Sequence, residues 1–245
     1  MHDMRICRAW LSAALLTGFA GGPLLLAQTP QPADAMAEVR QTLDAARKEM
    51  AAYKTAGGAP GAVDHPAIKW DAALWAYRDR YPRSEAAALA STESVRLLVG
   101  AELWDRARGR VESIDADDLA WERLPAVIYS EGIARKDLPS AIERISKAAA
   151  ATTNPRIKAS ALLVLGRAYR RQGDNAAALQ SLEAAKAAAP GTQFATDADG
   201  LIYEVKHLSP GLPAPPISAT SRSGSAVTLS DFRGKPVVLV FWGTT

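Results

Sequence analysis

The residue pattern predicts a mainly α fold: stacked helical hairpins forming an α-solenoid, followed by the first β elements of an α/β domain. Three observations carry that expectation. Between Asp34 and His207 the chain is rich in Ala, Leu, Glu, Arg and Lys, and its apolar residues recur at helical spacing. Glycine, proline and Asx breakers cut this stretch into helix-sized pieces. After His207 the composition turns to proline, glycine, β-branched and aromatic residues, which marks a second domain.

The first 27 residues read as a secretory signal peptide. A basic start, MHDMRICR, leads into an apolar stretch from Ala9 to Leu26, and the small residue Ala27 precedes QTPQP. Export to the periplasm or the extracellular space is the expectation. A retained leader would make the protein membrane-anchored, although Gly18, Gly21, Gly22 and Pro23 interrupt the apolar run and favour cleavage. The single cysteine, Cys7, lies within this leader, so thiol chemistry is not expected of residues 28–245.

Residues 28–208 are expected to form the helical domain. AGGAPGAVD (56–64) reads as a loop. Tyr81-Pro82-Arg83-Ser84 ends one helix and caps the next, and Asn154-Pro155 supplies an N-cap followed by proline at the first helical position. Gly173 offers the positive φ that ends a helix, and Asp174 a carboxylate cap for its successor. The tryptophans at 70, 75, 104 and 121 read as packing residues.

The stretch ASALLVLGRAYRRQGDNAAALQSLEAAKAAAPGT (159–192) resembles a tetratricopeptide repeat. Leu165, Gly166, Tyr169, Gly173, Ala178, Leu182, Ala185 and Pro190 match that family's large and small packing positions. Upstream, Ala73, Ala107 and Ala141 stand 34 residues apart, and Ala178 follows 37 later, suggesting fainter copies of the second helix. A non-repetitive helical bundle is the alternative.

In residues 209–245, SPGLPAPP reads as a stiff connector, AVTL as a short strand, SDFRGKP as a turn, and VVLVFW (237–242) as a strand buried on both faces. Phe232 is expected to pack beneath the sheet, with Gly234 allowing the sharp return. Gly211, Pro213, Ala214 and Pro215, then Leu229 to Phe232 with Asp231, then Gly234, Lys235, Pro236 and Val237 to Trp242, resemble the opening of the TlpA-like and AhpC/TSA (redoxin) branch of the thioredoxin superfamily. The resemblance implies that residues 209–245 begin a thioredoxin-like domain. It also implies a nucleophilic cysteine at the next helix N-terminus, where the helix dipole favours thiolate. Phe241, Trp242, Gly243, Thr244 and Thr245 would flank that cysteine, which would follow Thr245. The chain as given would then hold the scaffold and approach strand without the reactive sulfur, and the run 237–242, lacking its later neighbours, is expected to be poorly ordered or aggregation-prone.

Other chemistry is not expected. The formal net charge is +3, and residues 28–208 hold as many acidic as basic side chains with no basic stripe, which argues against nucleic acid. His2, His65 and His207 lack metal-ligand spacing and read as surface or capping residues, so neither metal nor cofactor is anticipated. Asp115, Asp117 and Asp118 read as helix-capping charge. The expected partner is a protein: a thiol or disulfide substrate held by the helical repeats if the chain serves an exported oxidoreductase or antioxidant, or another ligand if it is a non-catalytic binding module.

Overall fold

The computed structural model describes residues 32–240 and 242–243; the expected signal peptide and the flank residues Phe241, Thr244 and Thr245 lie outside them. Ten α-helices follow one another among the described residues: α1 (Pro32–Thr55), α2 (Ala67–Trp75), α3 (Tyr77–Arg80), α4 (Glu85–Gly100), α5 (Trp104–Glu112), α6 (Leu124–Ala134), α7 (Leu138–Ala151), α8 (Pro155–Gln172), α9 (Asn175–Ala188) and α10 (Gln193–His207). A 3-10 turn (Leu119–Glu122) links α5 to α6. The protein is therefore mainly α, as its composition predicts.

The breakers act where the sequence places them. Ser84 is the N-cap of α4, its Oγ accepting from the Ala87 amide at 3.1 Å. Asn154 caps α8 by accepting from the amides of Arg156 (2.9 Å) and Ile157 (3.4 Å), with Pro155 at the first helical position. Gly173 ends α8 at φ 84°, a conformation nearly free of cost only to glycine, and Asp174 accepts from the Ala177 amide to start α9. Such caps satisfy amides that the helix itself leaves unpaired.

Short links make α4–α5, α6–α7 and α8–α9 helical hairpins whose members pack on each other, and packing then continues between near neighbours along the chain. Ala107, Ala141 and Ala178 all lie on the second helix of a hairpin and are at most 2% exposed. Ala73 departs from this series: it sits on the exposed face of α2, while Ala67, Asp71 and Leu74 point inward. Two of the hairpins depend on a glycine. A Cβ on Gly166 would lie 2.5 Å from Cγ and Cδ2 of Leu182, and one on Gly132 would lie 2.5 Å from Ala141 Cβ.

The largest core runs from Ala88 on α4 to Ala168 on α8 and centres on Leu98, Leu124, Ile128, Ile145 and Ile157, all fully buried. A second cluster joins α1 through Val39 and Leu43 to Leu74, Tyr77 and Ala90. A third seals the other end through Leu163, Leu182, Ala198 and Val205.

Beyond α10 come two strands, β1 (Ser218–Thr220) and β2 (Ala226–Thr228), paired antiparallel with Ala219 opposite Val227, then a 3-10 turn over Leu229–Phe232. β2 occupies the expected AVTL strand, whereas β1 lies where the sequence suggested none. The expected doubly buried strand does not form: among the described residues, positions 237–240 are not in a strand, and Val238 is 86%, Val240 75% and Trp242 84% exposed. Phe232 is likewise 43% exposed instead of lying under a sheet. A strand buried on both faces needs neighbours on both edges and layers above and below, and a two-stranded ribbon with three residues per strand offers neither.

Candidate functional site

The sequence points first to the segment after α10. Here the structure brings the two predicted motifs together around one open cleft, lined by Pro213, Ala214, Pro215, Thr228, Leu229, Ser230 and Arg233 among others. The Leu229 amide donates to the Ile217 carbonyl at 2.9 Å and ties the proline-rich arm to the turn. Gly211 and Gly234 both adopt positive φ, 90° and 80°, so each reverses the chain at a place that disfavours side chains.

Asp231 and Thr228 form a capping box: the Asp231 carboxylate accepts from the Thr228 amide at 2.7 Å while the Thr228 side chain bonds back. That backbone bond, with help from the Thr228 hydroxyl, holds the Asp231 carboxyl below the ordinary carboxylate range. Asp231 is thus a turn-former held as an acceptor, not an acid. The Lys235 amide donates to the Phe232 carbonyl at 3.1 Å, which fixes the backbone of the return, and the Lys235 side chain is exposed. Trp242 and Gly243 lie exposed and outside the cleft lining. This segment offers hydroxyls, the Arg222 and Arg233 guanidinium groups, the Lys235 ammonium and the Asp231 carboxylate for hydrogen bonding.

Within the helical body the polar residues resolve into clamps. Asp117 spans to the α7–α8 link: its carboxylate accepts from Thr152 Oγ1 (2.6 Å), Thr153 Oγ1 (2.6 Å) and the amides of Thr153 (2.7 Å) and Asn154 (3.2 Å). These bonds, the Thr152 hydroxyl foremost, lower its pKa to about 2. Asp118 caps the 3-10 turn through the Ala120 amide and pairs with Arg78 at 3.1 Å. Asp118 thus does the capping its sequence suggested, whereas Asp117 holds the α7–α8 link instead of the turn it precedes. Of the expected surface or capping roles His65 takes the second while lying buried: Nδ1 accepts from the Ala67 amide that opens α2 at 3.2 Å, and the ring meets Tyr53 edge-on at 4.6 Å. Trp121 is buried in the largest core, with Trp75 packed against its edge.

Two buried carboxylates escaped the sequence reading. Asp71 on α2 takes a bidentate grip from Arg110 on α5, Nε to Oδ1 and Nη2 to Oδ2 both at 2.9 Å, and a bond from Ser94 Oγ at 2.6 Å. The Arg110 guanidinium also stacks over Trp75 at 4.3 Å. Glu131 on α6 accepts from Arg135 Nη1 at 3.1 Å and from Arg144 Nη1 on α7 at 2.6 Å. Their signal lay in the apolar register: Asp71 falls between Ala67 and Leu74, and Glu131 follows Val127 and Ile128 at helical spacing. A charged residue in a stripe that must be buried calls for a partner of opposite sign.

Among the described residues no His, Cys, Asp or Glu side chains cluster as a metal site, and no helix is long and apolar enough to cross a membrane. No protein-family model, no curated protein and no solved structure matches the chain.

Proposed function

We propose that the chain serves an exported thiol–disulfide oxidoreductase or thiol-dependent antioxidant of the thioredoxin superfamily, its tetratricopeptide-like body engaging a protein partner and residues 209–245 opening the redox domain. The observation that supports this reading is the order of elements after α10. The AVTL strand, the capped Leu-Ser-Asp-Phe turn and the return at Gly234 lead into the apolar run from Val237, in the order that the redoxin resemblance implies. In this chemistry a thiolate attacks one sulfur of a substrate disulfide, a mixed disulfide forms as the substrate bond breaks, and a second thiol resolves it. The Pro213–Pro215 arm and the Thr228–Arg233 turn support the approach to such a site and take no part in the electron transfer.

The test is the coding DNA beyond the Thr245 codon together with a disulfide-reduction assay on the polypeptide it specifies. A cysteine within the first helical turn and thiol-dependent turnover are expected; no cysteine there refutes the redox reading.

A second reading, a non-catalytic protein-binding module, is favoured by the hairpins themselves. Three successive second helices bury an alanine at corresponding places, Ala107, Ala141 and Ala178, and a stack of such hairpins presents an extended surface suited to a peptide or protein. Capture of a partner from a periplasmic extract by residues 28–208 tests it, with failure to retain any protein as the contrary outcome.

A further inference from the structure

The corner where α1 meets α2 holds a polar group that the fold leaves unused. His65 is only 6% exposed, and its Nδ1 accepts from the Ala67 amide, so the ring carries its proton on Nε2. That Nε2–H has no hydrogen-bond partner among the described residues. Nor is it closed off from solvent: the buried, unpaired side-chain donors there belong to Arg108 and Arg144. The His65 ring lines two clefts, one of about 710 Å³ between α1 and α2 and one of about 410 Å³ beneath the 56–64 loop. Tyr53 and His65 form a wall common to both. Clefts of this size are in the range that holds ligands.

The wall is held in place before any ligand arrives. The Tyr53 hydroxyl donates to the Ala59 carbonyl at 3.2 Å, and the Gly61 amide donates to the Ala101 carbonyl at 2.7 Å, which straps the loop to the end of α4. Gly58 lies directly on the Tyr53 ring, where a Cβ would stand 2.2 Å from Cε1. Such preorganisation lowers the cost of binding.

The polar groups around the clefts narrow the class of ligand. Glu49 and Lys69 neutralise each other at 2.9 Å, and Lys54 and Glu102 bring one charge of each sign to the smaller cleft. Asp64 adds a negative charge to the larger one, so neither cleft has a positive surplus for a phosphate or carboxylate. Lys69 Nζ and Trp70 Nε1 both donate to Oε2 of Glu49, which leaves Oε1 without a partner among the described residues. One free donor and one free acceptor thus line the larger cleft, the complement of a peptide group's C=O and N–H. Beside them Val63 is 94% exposed; among the described residues before Leu208, only it and Tyr203 are exposed large apolar side chains. An apolar side chain carried by that peptide would cover it.

We propose that the α1–α2 cleft binds an extended, uncharged apolar stretch of polypeptide, with His65 Nε2–H donating to a backbone carbonyl, Glu49 Oε1 accepting from a backbone N–H and Val63 packing on an apolar side chain; this rests on the reading of the helical body as a protein-binding module.

Isothermal titration of the full chain with an acetylated, amidated eight-residue peptide of alternating Leu and Ser tests it. Saturable binding is expected, with the serines replaced by Glu or by Lys giving weaker ligands. His65→Asn should weaken binding about tenfold, because asparagine can still accept from the Ala67 amide but is too short to present the donor. Val63→Ser should weaken it about fivefold, and Tyr203→Ser, which removes the other exposed apolar side chain, should leave it unchanged. If His65→Asn unfolds, Val63→Ser decides, since that side chain supports nothing in the fold. Absence of saturable binding overturns the proposal, as does equal weakening by Tyr203→Ser, or equal or tighter binding of the Glu or Lys peptide. If the peptide does not bind while wild type and Val63→Ser capture the same extract protein, the site falls and the binding-module reading stands.

Discussion

Replacing Gly132 by alanine should loosen the middle of the helical body, because the new methyl has nowhere to go. Its Cβ would stand 2.5 Å from Ala141 Cβ, 3.2 Å from the Asp137 carbonyl oxygen and 3.5 Å from Leu138 Cα. Non-bonded carbons rest about 3.5–4.0 Å apart, so α6 and α7 must separate by roughly 1 Å. Ala141 is 2% exposed and its Cβ has no rotamer to change, so relief has to come from the backbone. That movement would disturb Ile128 and Ile145, both fully buried beside the hairpin. Overpacking costs about 1–3 kcal/mol, and the rigid neighbour places this site near the upper end. Alanine's helix propensity returns about 1 kcal/mol, leaving a net loss of about 2 kcal/mol. For a body of this size, that lowers Tm by about 4–8 °C. Gly109 on α5 and Gly200 on α10 have no heavy atom within 4 Å of an added Cβ; alanine there should stabilise by about 0.5–1 kcal/mol. Thermal melts followed by circular dichroism at 222 nm compare the three variants. Equal or greater stability of Gly132→Ala, or a shift of all three in the same direction, would refute the close-approach argument.

Other consequences are as direct. The folded pKa of Asp117 is lowered from 3.8 to about 2, so its stabilisation is present in full above about pH 4 and is lost as pH falls toward 2. Urea midpoints of wild type and Asp117→Asn should therefore differ at pH 7, and the gap should shrink steadily as pH falls from about 4 toward 2; a constant gap would contradict the role of the carboxylate in holding the α7–α8 link. Arg110→Ala strands the Asp71 carboxylate, whose side chain is 3% exposed, and should cost about 3 kcal/mol or more in urea unfolding. Arg110→Lys should recover only part of this, since an ammonium cannot reproduce the two-point grip; full recovery by lysine would show that charge alone suffices. Limited trypsin digestion read by mass spectrometry should cut first at exposed Arg222 or Arg233 and leave the α1–α10 body intact, whereas first cuts within α8 or α9 would oppose that order of stability.

The sequence was most legible where a single residue type has one physical use. Asn154-Pro155, Ser84 and Gly173-Asp174 are local instructions, readable without knowledge of the fold, and each does its expected work. Repetition was legible only in part. Ala107, Ala141 and Ala178 mark true second helices, but Ala73 shares their spacing and faces solvent, because an alanine suits the exposed face of a helix as well as a tight interface. Gly132 passed unnoticed for a related reason: only the approach of Ala141 distinguishes it from Gly109 or Gly200.

The apolar run after Pro236 fails differently. Val237 to Val240 state what surroundings they would suit, namely burial on both faces, but four apolar letters do not say which strands would supply it. In the described residues β1 and β2 pair only with each other, and Val238, Val240 and Trp242 stay in solvent. The motif thus consists of a ready-made turn, fixed locally by Thr228, Asp231 and Gly234, and a strand whose formation depends on distant partners. Local hydrogen bonds and a positive φ can build the turn in isolation, whereas hydrophobic burial is collective and has to be provided by the rest of a sheet. The turn and ribbon are accordingly the part of the redox reading that the chain carries within itself.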